Sequence, residues 1–465
     1  MPTIPSRALS EIYTGIDAQK ERYNHLILRF RDEFPNHEPS FFVRAPGRVN
    51  VIGEHVDYSG YSVLPFAIPN DFVFLVEPTD DRSVTISHDD PSLPTFHGHL
   101  DSITIPTEHN WTKYLAAALK GMHTIFGATV GVRMVGHGTV PIGSGLSSSS
   151  ALVCATAAAI AAAGRLEITL PNLAAACIDS ERLIGLASGG MDQSASLLSQ
   201  PHALLHVEFR PNLKATPFML NNVQFMVLDS GVVSEKAVPS DDGYNKRVAE
   251  CRAAAALLLA TSGHAPTRVS TPFILSEVQE VLGLGFNGLV KAVEKLPESV
   301  TIAQFAGILK ISESDATRLI LSNSRGEPLL VPNVPMFVRK RARHVATEAQ
   351  RTHDFITEMT RPTPDLGHLG RLMTESHESC RTDYECSCPE LDSLVTLCLA
   401  SGAFGARLTG AGWGGHAIAM FPADVDMKDV AESAAGWSSG HSPLVVEAPS
   451  GGAAIVQMAD ICKMT

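Results

Sequence analysis

Between Asp17 and Phe34 the apolar residues Tyr23, Leu26, Ile27 and Phe30 recur at helical spacing, with Lys20, Glu21, Arg29 and Asp32 mostly on the other side. That period predicts an amphipathic helix lying on a core. Extended segments follow at Phe41–Ile52, broken by Pro46-Gly47, and at Asp71–Glu77, rich in Val and Phe. Trp111–Phe126 reads as a helix, and Val130–Val140 as a strand feeding a Gly/Ser turn. An Ala-rich helix comes next, then a helix over Pro171–Ile184 with proline in its first turn. Ala203–Phe209 and Val223–Asp229 read as strands, and Tyr244–Leu259 as a helix whose Ala254, Ala255 and Ala256 permit close packing. Residues 265–330 read as a small helical insertion, closed by the punctuation of Pro332 and Pro335. Helices are predicted at about 338–359, 365–378 and 389–401, the last capped by Gly402. Arg407–Pro422 and Gly451–Met458 supply the closing strands. Strands interleaved with helices, without a regular βαβ period, predict an α+β fold rather than a doubly wound sheet.

The chain has 465 residues, enough for two to four domains of about 100–200 residues each. Hydrophobic residues make up 45% and charged residues 18%, a globular composition. The net charge of −13 excludes a general nucleic-acid binder, which needs clustered Lys and Arg. The eight cysteines do not form a disulfide framework, and Cys386-Ser387-Cys388 lacks the two-residue spacer of zinc ribbons and redox motifs. Reduced thiols in a cytoplasmic protein are the expectation. Met1–Ser10 holds two prolines and no apolar block, so no secretory signal is expected. Ser147–Gly164 is uncharged, but it is built from Ser and Ala and would enter hydrocarbon poorly. No membrane association is expected.

The strongest local signal is Pro141-Ile142-Gly143-Ser144-Gly145-Leu146-Ser147-Ser148-Ser149-Ser150-Ala151. A strand runs in, glycines make the turn, and a helix starts within the serines. Such a helix start offers unpaired N–H groups and a positive dipole end to an anion, and a serine hydroxyl can ligate magnesium. Without Lys it is not a Walker loop. The alternative is a Ser-capped Ala helix, although four serines exceed what one cap needs. A triphosphate can be held this way inside an acidic protein. A second segment, Arg44–Tyr58, places Arg48, Glu54, His55 and Asp57 within ten residues. Donors and acceptors so mixed suit a polyol, and equally suit a solvated turn. A third, Leu408–Gly415, sets four glycines around Trp413, as for backbone packed on backbone or ligand, or for a tight structural turn.

In chain order these segments resemble the three motifs of the GHMP small-molecule kinases. The Arg44 segment resembles the galactokinase signature: Gly47-Arg48-Val49-Asn50, then Gly53-Glu54-His55, one variable residue, and Asp57-Tyr58. Ser188-Gly189-Gly190-Met191-Asp192-Gln193 resembles the family's catalytic-aspartate segment. The resemblance runs from about Arg44 to Gly415 and implies a two-domain α+β fold with ATP and sugar in the interdomain cleft. It implies a lead-in over 1–40, an N-terminal kinase domain over 41–210 and a C-terminal one over 211–465.

By that resemblance Asp192 is the catalytic carboxylate facing the anomeric hydroxyl, with Arg48 as its partner. On its own residues, Asp192 could equally be a loop acid capping a turn. Glu54, His55, Asp57, Gly189 and Tyr244 are implied to meet the sugar. Gly143, Ser144, Gly145, Leu146, Ser147, Ser148 and Ser149 are implied to hold the β- and γ-phosphates. Ser149 or Ser148, with Glu181, is implied to hold Mg2+, although Glu181 also reads as a solvated helix acid. Trp111 lies against adenine or packs in the core. The implied reaction is ATP plus α-D-galactose giving ADP and galactose 1-phosphate.

Arg381–Asp392 resembles a segment shared by plant-type galactokinases and N-acetylgalactosamine kinases. Tyr244 favours galactose, because the N-acetylgalactosamine enzyme resembles these chains with Phe there. A further class, galactose-binding transcriptional sensors, can lack residues of the Ser/Ala loop, which is uninterrupted here. The implied partners are the sugar and ATP alone. His416 stands where relatives usually carry Cys, and no catalytic role is assigned to it.

Overall fold

A computed structural model of the chain describes residues 4–108, 110–185, 188–234, 243–264, 272–321, 334–435, 443–446 and 448–462. The strands in chain order are β1 (Phe41–Asn50), β2 (Pro65–Thr79), β3 (Ser83–His88), β4 (Phe96–His99), β5 (Gly131–Gly138), β6 (Leu204–Glu208), β7 (Lys214–Phe218), β8 (Val223–Asp229), β9 (Gly405–Thr409), β10 (His416–Pro422), β11 (Leu444–Val446) and β12 (Ala454–Gln457). They form sheets of order β12-β1-β2-β5-β3-β4 and β11-β8-β10-β9, with a β6-β7 ribbon. β3 and β5 run parallel and the other pairs antiparallel. The α+β expectation is met.

The first sheet follows the period of two that a sheet covered on both faces requires. Phe42, Val73, Leu75 and Val135 meet helix α1 (Ile16–Glu33) through Tyr23, Leu26 and Phe30. Val43, Phe74, Val76 and Met134 face the opposite way, towards α2 (Trp111–Phe126) and α3 (Ser148–Ala163). α3 is buried on every side from Ser150 to Ala161, so it has no polar stripe. Its alanines let β1, β2, α2, α4 (Leu170–Arg182) and α5 (Met191–Leu198) close round it. The second sheet carries α6 (Tyr244–Thr261), α7 (Val338–Met359) and α9 (Pro389–Ala400) in its own core, whereas Leu369, Leu372 and Met373 of α8 (Leu366–Ser379) join the first core. The expected insertion is helical at Leu275–Val281, Phe286–Val293, Ile302–Leu309 and Glu313–Leu321; 265–271 and 322–333, with Pro332, lie outside the described residues.

Three features differ from the sequence reading. Arg407–Pro422 is two strands, β9 and β10, joined by the glycine turn. β12 pairs with β1, Phe41 opposite Gln457, so the chain returns to the first sheet and this strand is not part of the second one. β3, β4, β7 and β11 were not foreseen, because each is short and β7 has no buried residue. Among the described residues no helix is long and apolar enough to cross a membrane.

Candidate active site

The serine-rich loop joins β5 to α3. Gly143, Gly145 and Ser147 all have positive φ, at 65°, 75° and 65°. Ser147 precedes the helix yet its side chain makes no cap hydrogen bond, because its left-handed backbone turns the hydroxyl away from the first turn. That hydroxyl is buried without a protein partner. Ser147 therefore does not cap the helix, while the Ser144 hydroxyl braces the loop itself, donating to Pro141 O at 2.6 Å. Successive carbonyls are held by the protein: Gly143 O accepts from Ser234 N at 2.7 Å, Ser144 O from His416 Nδ1 at 2.7 Å, Gly145 O from Arg48 Nη1 at 2.6 Å and Leu146 O from Arg48 N at 3.1 Å. The third motif packs here backbone on backbone. A methyl on Gly415 would lie 2.6 Å from Ser144 O, and one on Gly410 would strike Gly145 O.

Arg48 also reaches the segment that carries Asp192. Its Nε donates to Asp192 Oδ1 at 2.8 Å, and its Nη2 lies 2.6 Å from the same oxygen as an ion-pair contact. One fully buried guanidinium thus bridges the serine-rich loop and the carboxylate, a task suited to the arginine fork. Asp192 lies in the first turn of α5, where the positive helix end favours a negative charge. Asp57 caps the same turn, Oδ2 accepting from Met191 N at 3.3 Å and Oδ1 from Tyr58 N at 2.9 Å. Gly189 is packed so closely on Asp57 and Tyr58 that any Cβ would collide with them.

Glu54 is buried, and its Oε2 accepts from Arg407 Nη2 at 3.1 Å, Gly410 N at 3.1 Å and Asn50 Nδ2 at 3.3 Å. Behind it Glu348 takes Gly53 N at 2.9 Å, Glu54 N at 3.2 Å and Arg351 Nε at 2.8 Å. Burial alone would raise the Glu348 carboxyl, but Arg351 and Arg407 hold it down at about 2. His55 has φ 61° and donates from Nε2 to Ala411 O at 3.0 Å; its Nδ1 is 3.0 Å from the Tyr58 hydroxyl, which a neutral ring would accept. Its ring stacks on Tyr384, 4.5 Å between centroids, and the Tyr58 and Tyr384 hydroxyls are hydrogen-bonded. Tyr244 opens α6 against His55 and Tyr58, at 5.8 and 5.7 Å. Burial, and then the field of Asp57, Asp192 and Glu54, pushes its phenol well above the usual range, so it stays a hydrogen-bond donor.

All the sequence-predicted residues except Arg48, Leu146 and Gly189 line one cavity of about 500 Å³, and those three touch its wall residues. Phe72, His88, Leu93, Trp111 and Tyr114 also wall it. Trp111 donates from Nε1 to Pro94 O at 2.9 Å and meets the His88 ring edge-on at 5.3 Å. Glu181, on α4, is a buried cavity carboxylate rather than a solvated one, facing the same space as Ser148 and Ser149. Among the described residues no cluster of three or more His, Cys, Asp or Glu side chains is placed to hold a metal. Mg2+ needs no such cluster where phosphates supply ligands, and one carboxylate beside serine hydroxyls fits it.

Three family models match. Residues 28–78 match the galactokinase galactose-binding signature, 113–200 the GHMP kinases N terminal domain and 356–436 the GHMP kinases C terminal domain. A galactokinase of Dictyostelium discoideum is 37% identical, the match covering 90% of this chain and 89% of that protein. The chain belongs to the galactokinase family. The galactokinase of Saccharomyces cerevisiae is 32% identical across 83% of each chain. Among solved structures, Lactococcus lactis galactokinase complexed with galactose superposes with a TM-score of 0.72 at 22% identity, covering 94% of this chain and all (100%) of that one. Methanococcus jannaschii mevalonate kinase follows the same fold at a TM-score of 0.54 and 16% identity, over 90% and 99% of the two chains. The GHMP fold expected from the motifs is therefore the fold of this galactokinase-family chain.

Several site residues escaped the sequence reading. Ser234 holds Gly143 O through its N–H and Gly412 O through its hydroxyl, at 2.7 Å each. Arg407, Glu348 and Tyr384 hold Glu54 and His55 from behind. None lies in a glycine-rich or motif-like run except Tyr384, so only its place in Arg381–Asp392 could have drawn attention.

Proposed function

We propose that this chain transfers the γ-phosphoryl group of ATP to the anomeric hydroxyl of α-D-galactose, releasing ADP and galactose 1-phosphate. The observation that carries this is the single Arg48 guanidinium bound to both Asp192 and the Gly145 carbonyl. An acceptor hydroxyl beside Asp192 would then lie next to the loop that seats the terminal phosphates. In this reading the site sits between the unit built on the first sheet and that built on the second.

Phosphoryl transfer relies on alignment and charge stabilisation. Asp192, its orientation set by Arg48, accepts the hydrogen of the anomeric hydroxyl and directs the oxygen's lone pair at phosphorus. It takes the proton late, once bond formation has made the hydroxyl acidic. Asp57 and Glu54 accept from sugar hydroxyls, and Tyr244 donates to one. His55 supports this wall through its ring, since both its nitrogens already meet Tyr58 and Ala411. Gly189 lets Asp57 close on the turn before Asp192. Gly143 to Ser149 hold the β- and γ-phosphates with backbone amides and hydroxyls, the buried Ser147 hydroxyl among them. The Trp111 end takes the base. Glu181 with Ser149 or Ser148 would hold Mg2+, which when bound neutralises charge on the phosphates. Among the described residues seven cysteines are unpaired, which favours a reducing, cytoplasmic compartment.

Galactose-dependent ADP release, measured beside N-acetylgalactosamine at equal concentration, tests the proposal. A faster rate with galactose supports it. ADP release with neither sugar, or galactose binding without turnover, refutes it.

A further inference from the structure

A loop that seats phosphate must present N–H groups inward and turn its carbonyls away, because a carbonyl oxygen repels an anion. In a trans peptide the C=O and the following N–H point in opposite directions. Whatever grips the carbonyl of Ser144 therefore aims the N–H of Gly145. This peptide needs a grip, since glycine tolerates either orientation at little cost. Gly145 has φ 75° and lines the cavity.

The donors to the four loop carbonyls come from two sides. Arg48 holds Gly145 O and Leu146 O from the first sheet. Ser234 N holds Gly143 O from the segment after β8. Ser144 O is held by His416 Nδ1 at 2.7 Å, and a carbonyl can only accept, so Nδ1 carries the proton. His416 is the buried first residue of β10, opposite Asp229 and Thr409 in the register. Gly415 before it is fixed by N–H donation to Val232 O at 2.7 Å. The ring is thus a prop running from the second sheet to the middle of the phosphate loop.

We propose that His416 is a positioning residue for the nucleotide's phosphates, holding the Ser144–Gly145 peptide with its N–H toward the cavity. This rests on the galactokinase reading of the loop. The experiment measures KM for ATP and galactose, and the Kd of each alone, in H416A and H416N at matched thermal stability. Removing the donor in H416A raises KM and Kd for ATP about ten- to a hundredfold, while galactose Kd stays within about threefold. Asparagine, whose amide nitrogen can stand near the Nδ1 place, brings ATP binding back to within about threefold. ATP binding unchanged in H416A overturns the proposal, as does an equal loss of galactose binding or no recovery in H416N. Should H416A not fold, H416N against H416D decides: the acceptor in H416D must weaken ATP binding and the donor in H416N must keep it. A wild-type protein that binds ATP but makes no galactose 1-phosphate overturns the catalytic reading alone, and the ATP Kd of the variants still tests His416.

Discussion

Replacing Arg48 by lysine keeps the positive charge but removes the fork. The arginine makes three contacts from one planar group: two to Asp192 Oδ1 at 2.8 and 2.6 Å and one to Gly145 O at 2.6 Å. A lysine ammonium, on a fully buried stem, reaches one of the two partners at a time. Each charge-assisted hydrogen bond is worth about 1.5–3 kcal/mol, so abandoning one partner costs about that much in alignment of the reacting groups. At about 1.4 kcal/mol per tenfold, kcat should fall roughly 10- to 150-fold. Galactose Kd should change by less than about fivefold, while ATP Kd rises if the lysine releases the Gly145 carbonyl, because that grip helps set the loop. ADP release under saturating substrates gives kcat, and titration calorimetry gives the two Kd values. A lysine variant with kcat within about threefold of wild type would show that the Asp192–loop bridge does not set the rate.

Tyr244→Phe leaves the ring packing on His55 and Tyr58 but deletes the donor; galactose KM should rise about tenfold, with ATP KM unchanged, in initial-rate assays. Glu181→Gln should raise the Mg2+ concentration for half-maximal activity at least about tenfold without altering galactose Kd, read by Mg2+ titration. Acid stability should depend on Glu348 and His344. The Glu348 carboxyl lies at about 2 in the fold, and burial pushes the His344 imidazole down to about 4, so the unfolded chain binds more protons in both cases. Their contribution is complete above the ordinary histidine value of 6.5 and is lost as pH falls, through His344 towards 4 and through Glu348 from 4.5 towards 2. Thermal melts of Glu348→Gln should be lower than wild type at neutral pH and flatter below pH 4.5.

The chemistry was legible where it sits in short contiguous runs. Pro141–Ala151 spells strand, turn and helix start in one segment, and Arg48, Glu54, His55 and Asp57 share another. The amphipathic period of α1 and the proline in α4 gave those helices close to their observed bounds. What stayed hidden depends on side chains meeting across hundreds of residues. Glu54 read as a sugar ligand, yet Arg407 and Gly410 hold it from 353 and 356 residues away. His416 read as a departure from its relatives, and its bond to Ser144 spans 272 residues. β12 looked like the end of a C-terminal unit because its partner β1 is at the other end of the chain. Local pattern predicts an element, but the register between elements is set by packing that no local period records.

In the proposed mechanism catalysis turns on Asp192 acting on the sugar hydroxyl within the space shared with the serine-rich loop. Single-turnover formation of galactose 1-phosphate by Asp192→Ala, with galactose and ATP Kd measured on the same preparation, tests this most directly. Binding should stay within about fivefold while the rate falls at least about a thousandfold. A variant that still turns over at near the wild-type rate would contradict it.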